Sequence, residues 1–217
     1  MHNYPFLNRQ LSETDIRILA TARKMFLKDG IMQTDMKALA KELGCSRSTL
    51  YRHFPSKGDI LVILAEKALQ TIVRSTYIPD GLRFSTGMDA FQWQLNSLTE
   101  CLIRNPDDLT FLREFDCFYY KEFSMTTETY SFEAHVSSSA QTSPLLETFR
   151  RGLADNSIQS SEKPELVTIT IIHSLIALAQ RVMPAEQNFL HNFGYGQELL
   201  RQAAKMYINA LSDPTKK

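Results

Sequence analysis

Residues 30–61, GIMQTDMKALAKELGCSRSTLYRHFPSKGDIL, decide the fold. Thr34 is placed to cap a helix, with Asp35 at its electropositive end. Met36, Leu39, Ala40 and Leu43 recur at the spacing of one apolar helical stripe. Gly44 stops that helix after about ten residues. Ser46 caps a shorter helix reaching about Phe54, with Leu50 and Phe54 four apart on one face. Pro55 ends it, because proline disfavours a helical residue before itself. Ser56-Lys57-Gly58-Asp59 is a capping box that opens a further helix with Ile60, Ile63, Leu64 and Ala68. Two short helices joined by Gly44-Cys45-Ser46 and braced by longer ones make a helix-turn-helix unit. Its second helix carries functional groups near its start, as suits a helix whose first residues reach base edges in the major groove.

Upstream, Ser12-Glu13-Thr14-Asp15 starts a helix over 12–29 with Ile18, Leu19, Ala22, Met25 and Phe26 on its stripe. Downstream, Tyr77-Ile78-Pro79-Asp80-Gly81 reads as a joint. Helices are expected over 88–104, 106–123, 144–155, 164–183 and 195–211. Residues 124–143 hold ten serines and threonines without a stripe and are expected to be mainly loop. The expectation is an all-α chain of about nine helices. A three-helix head (1–56) joins a connecting helix (57–76) and a helical body (77–217).

Composition narrows the class. The chain has 217 residues, 43% hydrophobic and 22% charged, enough to bury a core without disulfides or metals. Eight glycines are too few for a large all-β fold rich in tight turns. Cys45, Cys101 and Cys117 form no CxxC pair, so a reducing cytoplasm is the expected compartment. The N-terminus does not read as a signal peptide. The apolar run Leu166–Gln180 reads as a buried helix, too short and polar to span a bilayer. Net charge is zero, yet residues 1–60 hold ten Lys/Arg against six Asp/Glu, and the rest is correspondingly acidic. A basic head on an acidic body suits a head that alone meets an anion, although so small an excess also arises by chance.

The quoted stretch resembles the DNA-binding domain of the TetR family of bacterial transcriptional regulators. The likeness rests on Thr34, the Leu39-Ala40 pair, Gly44, Leu50-Tyr51 and His53-Phe54-Pro55-Ser56-Lys57. Cys45 departs from it, standing where the family more often has valine. The resemblance implies a homodimer on a near-palindromic double-stranded DNA operator. It also implies a body that dimerises and often binds a small effector, with no cofactor, no metal and no membrane. It implies phosphate contacts by Thr34, Tyr51 and Lys57. Thr34 also reads as a plain cap, Tyr51 as a packing residue and Lys57 as a solvated lysine. Arg47, Ser48, Arg52 and His53 are the candidates for base readout. Arginine grips guanine O6 and N7 bidentately, worth about 1–3 kcal/mol of discrimination. Arg52 equally suits a phosphate, and His53 equally suits a packed surface site.

In the body, the helix at 164–183 is apolar nearly all round and must be covered on both sides. The last helix carries Leu200, Ala203, Ala204, Tyr207 and Leu211 on one stripe. A dimer interface is expected from Ile169, Ile172, Ile176, Leu200, Ala203, Ala204 and Tyr207. The same residues could close the monomer's own core. Phe111, Phe115, Phe118 and Tyr119 read either as core or, with Trp93, as the lining of a cavity for an apolar or aromatic effector. His173 reads either as a ligand-orienting group or as a hydrogen-bonded core histidine. An enzyme is disfavoured: the chain holds no GxGxxG or Walker loop, no HExxH and no histidines at ligand spacing. The functional expectation is a homodimeric repressor released by a small molecule. The alternative is a DNA-bound protein of the same fold controlled by a protein partner.

Overall fold

Helix α1 (Glu13–Asp29) begins where the sequence places it. Ser12 Oγ accepts from the Asp15 N–H at 3.2 Å, and the Asp15 carboxylate accepts from the Ser12 N–H at 2.9 Å. Further helices are α2 (Met36–Leu43), α3 (Arg47–His53), α4 (Lys57–Arg74), α5 (Gly87–Arg104) and α6 (Pro106–Glu122). They are followed by α7 (Pro144–Ala154), α8 (Pro164–Val182), α9 (Glu186–Phe193) and α10 (Glu198–Leu211). This computed structural model describes residues 10–122 and 143–212. Among them no strand occurs, only one isolated bridge between Ile158 and Ser212. The expected all-α architecture is present, and the segment expected as a loop lies outside the described residues.

Three details differ from expectation. The N-cap of α2 is Asp35, whose side chain accepts from the Ala38 N–H at 2.7 Å, and not Thr34. The last helix starts at Glu198 rather than at 195. Helix α9 was not anticipated. Pro184 breaks the pattern ahead of it, and none of its residues is buried, so it shows no core-facing stripe. Gly194, left-handed at φ 75°, closes it with a bond to the Leu190 carbonyl. Through a 3₁₀ turn (Met183–Ala185), α8 and α9 form one helical stretch, Pro164–Phe193. By length and composition alone that stretch is apolar enough to cross a membrane, and a third of its most apolar window is buried. The expectation of a run too short for this counted only Leu166–Gln180, within a helix expected over 164–183.

Of the described residues, 10–69 and 110–122 form one compact unit, and 70–109 with 143–212 a second. The division falls inside α4 and inside α6, so most of α6, from Thr110 on, groups with the head. In the first unit Ile18, Leu19, Ala22 and Phe26 of α1 are buried, as are Leu39, Ala40, Leu50, Phe54, Ile60 and Leu61. Phe26 packs against Phe111 at 6.3 Å between ring centroids. In the second unit α5 packs on α7 and α10, and α8 packs on α7 and α10. The α5–α7 crossing needs a glycine at position 87. A Cβ on Gly87 would lie 2.1 Å from the Gly152 backbone nitrogen, far inside contact distance. At the same place the Asp155 carboxylate accepts from the Gly87 N–H at 2.6 Å, and Ser157 Oγ accepts from the Met88 N–H at 2.9 Å. These bonds satisfy two of the orphan donors at the start of α5. Buried Gln94 donates to the Thr76 carbonyl at 2.8 Å, and its own carbonyl accepts from the Thr148 hydroxyl.

Candidate nucleic-acid interface

The turn between α2 and α3 is set by Gly44 in the left-handed region at φ 66°. Its N–H bonds to the Lys41 carbonyl at 3.1 Å, while the Cys45 N–H reaches the Ala40 carbonyl at 3.0 Å. This Schellman closure satisfies the last carbonyls of α2 and turns the chain sharply into α3. Ser46 Oγ then accepts from the Thr49 N–H at 3.1 Å and starts α3. Only Leu50 is buried within this seven-residue helix, with Phe54 buried just past its end. Those two anchors fix which side faces out.

Arg47, Ser48, Tyr51 and Arg52 occupy that outer side, and Tyr51 is 46% exposed. The structure thus brings four of the expected DNA residues onto one exposed surface. It presents two guanidinium forks, a phenol and a hydroxyl, all able to donate to base edges or phosphates. Ser48 Oγ lies 2.8 Å from Ser46 Oγ. Cys45 beside them is half-buried rather than buried.

Two other expected contacts, Thr34 and Lys57, are turned inward, and a third, His53, is half-buried with one ring nitrogen toward the core. Thr34 is 2% exposed and its hydroxyl donates to the Gly30 carbonyl at 2.9 Å, so it offers no atom to a phosphate in this arrangement. Lys57 Nζ donates to the carbonyls of Ile31 at 2.9 Å and Thr34 at 3.1 Å, with the Phe118 ring 4.9 Å away. Its ammonium clamps the loop before α2. His53 Nδ1 lies 2.8 Å from the carboxylate of buried Asp15. Asp15 escaped the sequence reading because its capping role already explained it, and nothing local points to a partner 38 positions away. Glu114, which accepts from the Ile31 N–H at 2.9 Å, was missed for the same reason.

The residues expected around an effector are divided between the two units. Phe111, Phe115 and Phe118 are buried in the first unit, where Phe111 lies 6.2 Å from Phe115. Trp93 is in the second unit, 6.0 Å from Phe84. The Tyr119 side chain lies outside the described residues. His173 is exposed on α8 in the single chain and is not part of its core. Of the expected dimer residues, Leu200 and Ala204 are buried within this chain and close its own core. Ile169 is exposed, while Ile172, Ile176, Ala203 and Tyr207 are half-buried. Tyr207 shares a hydrogen bond of 2.6 Å with Ser174. Among the described residues no group of three or more His, Cys, Asp or Glu is placed to hold a metal ion.

Residues 18–62 match the family described as bacterial regulatory proteins, tetR family. An HTH-type transcriptional regulator of Staphylococcus aureus (strain USA300) is 26% identical over 139 residues, covering 58% of this chain and 75% of that one. The fold is similar to a tetR-family regulatory protein from Rhodococcus RHA1, with TM-score 0.70 at 16% identity, over 93% of this chain and 98% of that one. It is also similar to a transcriptional regulator from Saccharomonospora viridis in complex with choline. There the TM-score is 0.69 at 20% identity, over 94% of this chain and all of that one. A helix-turn-helix head with a cationic outer surface, carried by a chain that is helical throughout its described residues, defines a DNA-binding transcriptional regulator, not an enzyme. Residues 18–62 carry a DNA-binding domain of the TetR family, and the fold of the chain is similar to that of regulators of this family.

Proposed function

We propose that the chain is a cytoplasmic homodimeric repressor of a near-palindromic operator, released by a small-molecule effector. The outward row Arg47, Ser48, Tyr51 and Arg52 on α3 carries the operator reading. Arg47 and Ser48, in the first turn, read base edges. Tyr51 donates to a phosphate, and Arg52 serves either. Two heads enter successive major grooves about 34–36 Å apart. Pairing is supported by an unpartnered apolar face on α8 and α10. Leu166 is 57% exposed, Ile169 40% and Met206 60%, although isolated surface apolar residues need no explanation. A second copy of the same face would cover them by a two-fold axis.

Release follows if the effector binds better to a body whose heads are wrongly spaced. Linkage then requires operator and effector to weaken each other by the same factor. A small organic ligand is supported by the choline held in one fold relative. Selection of bound sequences from random DNA tests the reading. A palindromic consensus with half-sites one helical turn apart is expected, and enrichment of no sequence would overturn it.

A further inference from the structure

We propose that Asp15 makes DNA docking proton-linked through His53. The inference rests on the operator-binding reading above. It starts from the hydrogen bonds that meet at Asp15. One carboxylate oxygen faces His53 Nδ1 at 2.8 Å. The other accepts from the Ser12 N–H at 2.9 Å and the Ser12 hydroxyl at 2.8 Å. Between a carboxyl group and an imidazole the shared proton rests on the more basic imidazole, which leaves the carboxylate an acceptor only. Nδ1 of His53 therefore carries a proton in both charge states of the ring. Nε2 then has a lone pair while the ring is neutral and gains a proton only in the imidazolium.

The side chain of Asp15 is 5% exposed and that of His53 23%, so the ring spans from the core to the surface. His53 is the last residue of α3, away from the first turn that meets base edges, so the group it reaches is a backbone phosphate. A phosphate only accepts. Contact through Nε2 therefore requires the imidazolium, held between a buried carboxylate and the DNA backbone. Among the described residues, Asp15 is the charged group within ion-pair distance of the ring. On α4, Lys57 is turned to the Ile31 and Thr34 carbonyls and Asp59 to Ser56. On α3 itself, Arg47 and Arg52 are exposed and oppose the added charge.

Docking through Nε2–H takes up one proton per head. DNA binding is thus strongest at low pH and weakens as pH rises. One linked proton sets the limit at tenfold per pH unit for each head that docks.

The test measures binding of the full chain to a random-sequence duplex at low ionic strength across about pH 6 to 8, where histidines ordinarily titrate. The wild type loses affinity with rising pH, approaching tenfold per unit for each head that docks. In Asp15→Asn the amide oxygen stays on Ser12 and the NH₂ faces Nδ1. The neutral ring then carries its proton on Nε2 and donates without charging, so this component of the slope disappears. His53→Gln, which cannot titrate, also lacks it and serves if Asp15→Asn fails to fold. Ser12→Ala weakens the cap but keeps the slope. Nitrogen NMR of the neutral ring in the free protein gives a readout independent of DNA: Nδ1–H in the wild type and Nε2–H in Asp15→Asn. Equal slopes in wild type and both His53-pair variants, or a wild-type ring protonated on Nε2, would overturn the proposal. Failure of the wild type to bind any duplex, with the NMR pattern intact, would instead overturn the operator reading.

Discussion

The ammonium of Lys57, at the start of α4, donates to the carbonyl oxygen of Ile31 at 2.9 Å. The N–H of the same Ile31 donates to Glu114 of α6 at 2.9 Å. Both polar backbone atoms of one buried loop residue are therefore held by charged side chains from two helices. Hydrogen bonds to charged groups contribute about 1.5–3 kcal/mol. Lys57→Met keeps the stem and removes the donors, so a stability loss of about 1–3 kcal/mol is expected in urea unfolding. A phosphate-binding lysine would behave differently. Its loss would lower the salt dependence of DNA binding by about one charge and leave stability nearly unchanged.

Tyr51 and Arg47 share the exposed side of α3, and the proposed operator reading gives them different purposes. Tyr51→Phe removes a phosphate donor and should weaken binding to all sequences alike. Arg47→Ala should relax preference at one base position by about 1–3 kcal/mol. Binding to a panel of single-base operator variants separates the two. An equal loss on every sequence for both variants removes Arg47 from readout.

At the α5–α7 crossing, Gly87→Ala would place a methyl group against the Gly152 backbone, which cannot rotate away. Overpacking of this kind costs about 1–3 kcal/mol or more. A lowered melting temperature is expected. Gly44→Ala has open space around its Cβ and carries only the left-handed backbone strain, about 1–2 kcal/mol. The two glycines thus separate steric from conformational cost, and calorimetry on both variants checks the ranking.

Ile169→Glu and Met206→Glu place charge on the outward face of α8 and α10. Both side chains are exposed in the single chain, so folding should be little affected. Sedimentation equilibrium should show the dimer replaced by monomer. Wild-type assembly retained in both would remove this face from the interface.

The head was legible in the sequence because its signals are local. Caps, the left-handed glycine, Pro55 and the α2 stripe all act within a few residues of one another. The body's helices were legible for the same reason wherever an apolar stripe faces a core. What local pattern does not encode is pairing across the chain. Asp35 rather than Thr34 takes the cap because Thr34 is committed to Gly30, and Lys57 turns inward because two carbonyls of a distant loop await it. The stripe Leu200, Ala203, Ala204 and Tyr207 gives a helical face but not which part of it the same chain covers. The aromatic run at 111–118 shows apolar area without revealing that Phe26 receives it.

Helix α3 is anchored by Leu50, by Phe54 and by the bond from His53 to Asp15, while Arg47, Ser48 and Arg52 carry little of the packing. Surface exchanges of that sort usually alter folding by no more than about 0.5 kcal/mol. Target preference and fold integrity are therefore set by separate letters of the same short segment. Such a head is free to drift toward new promoters, or to be retargeted in the laboratory, without eroding the scaffold that presents it.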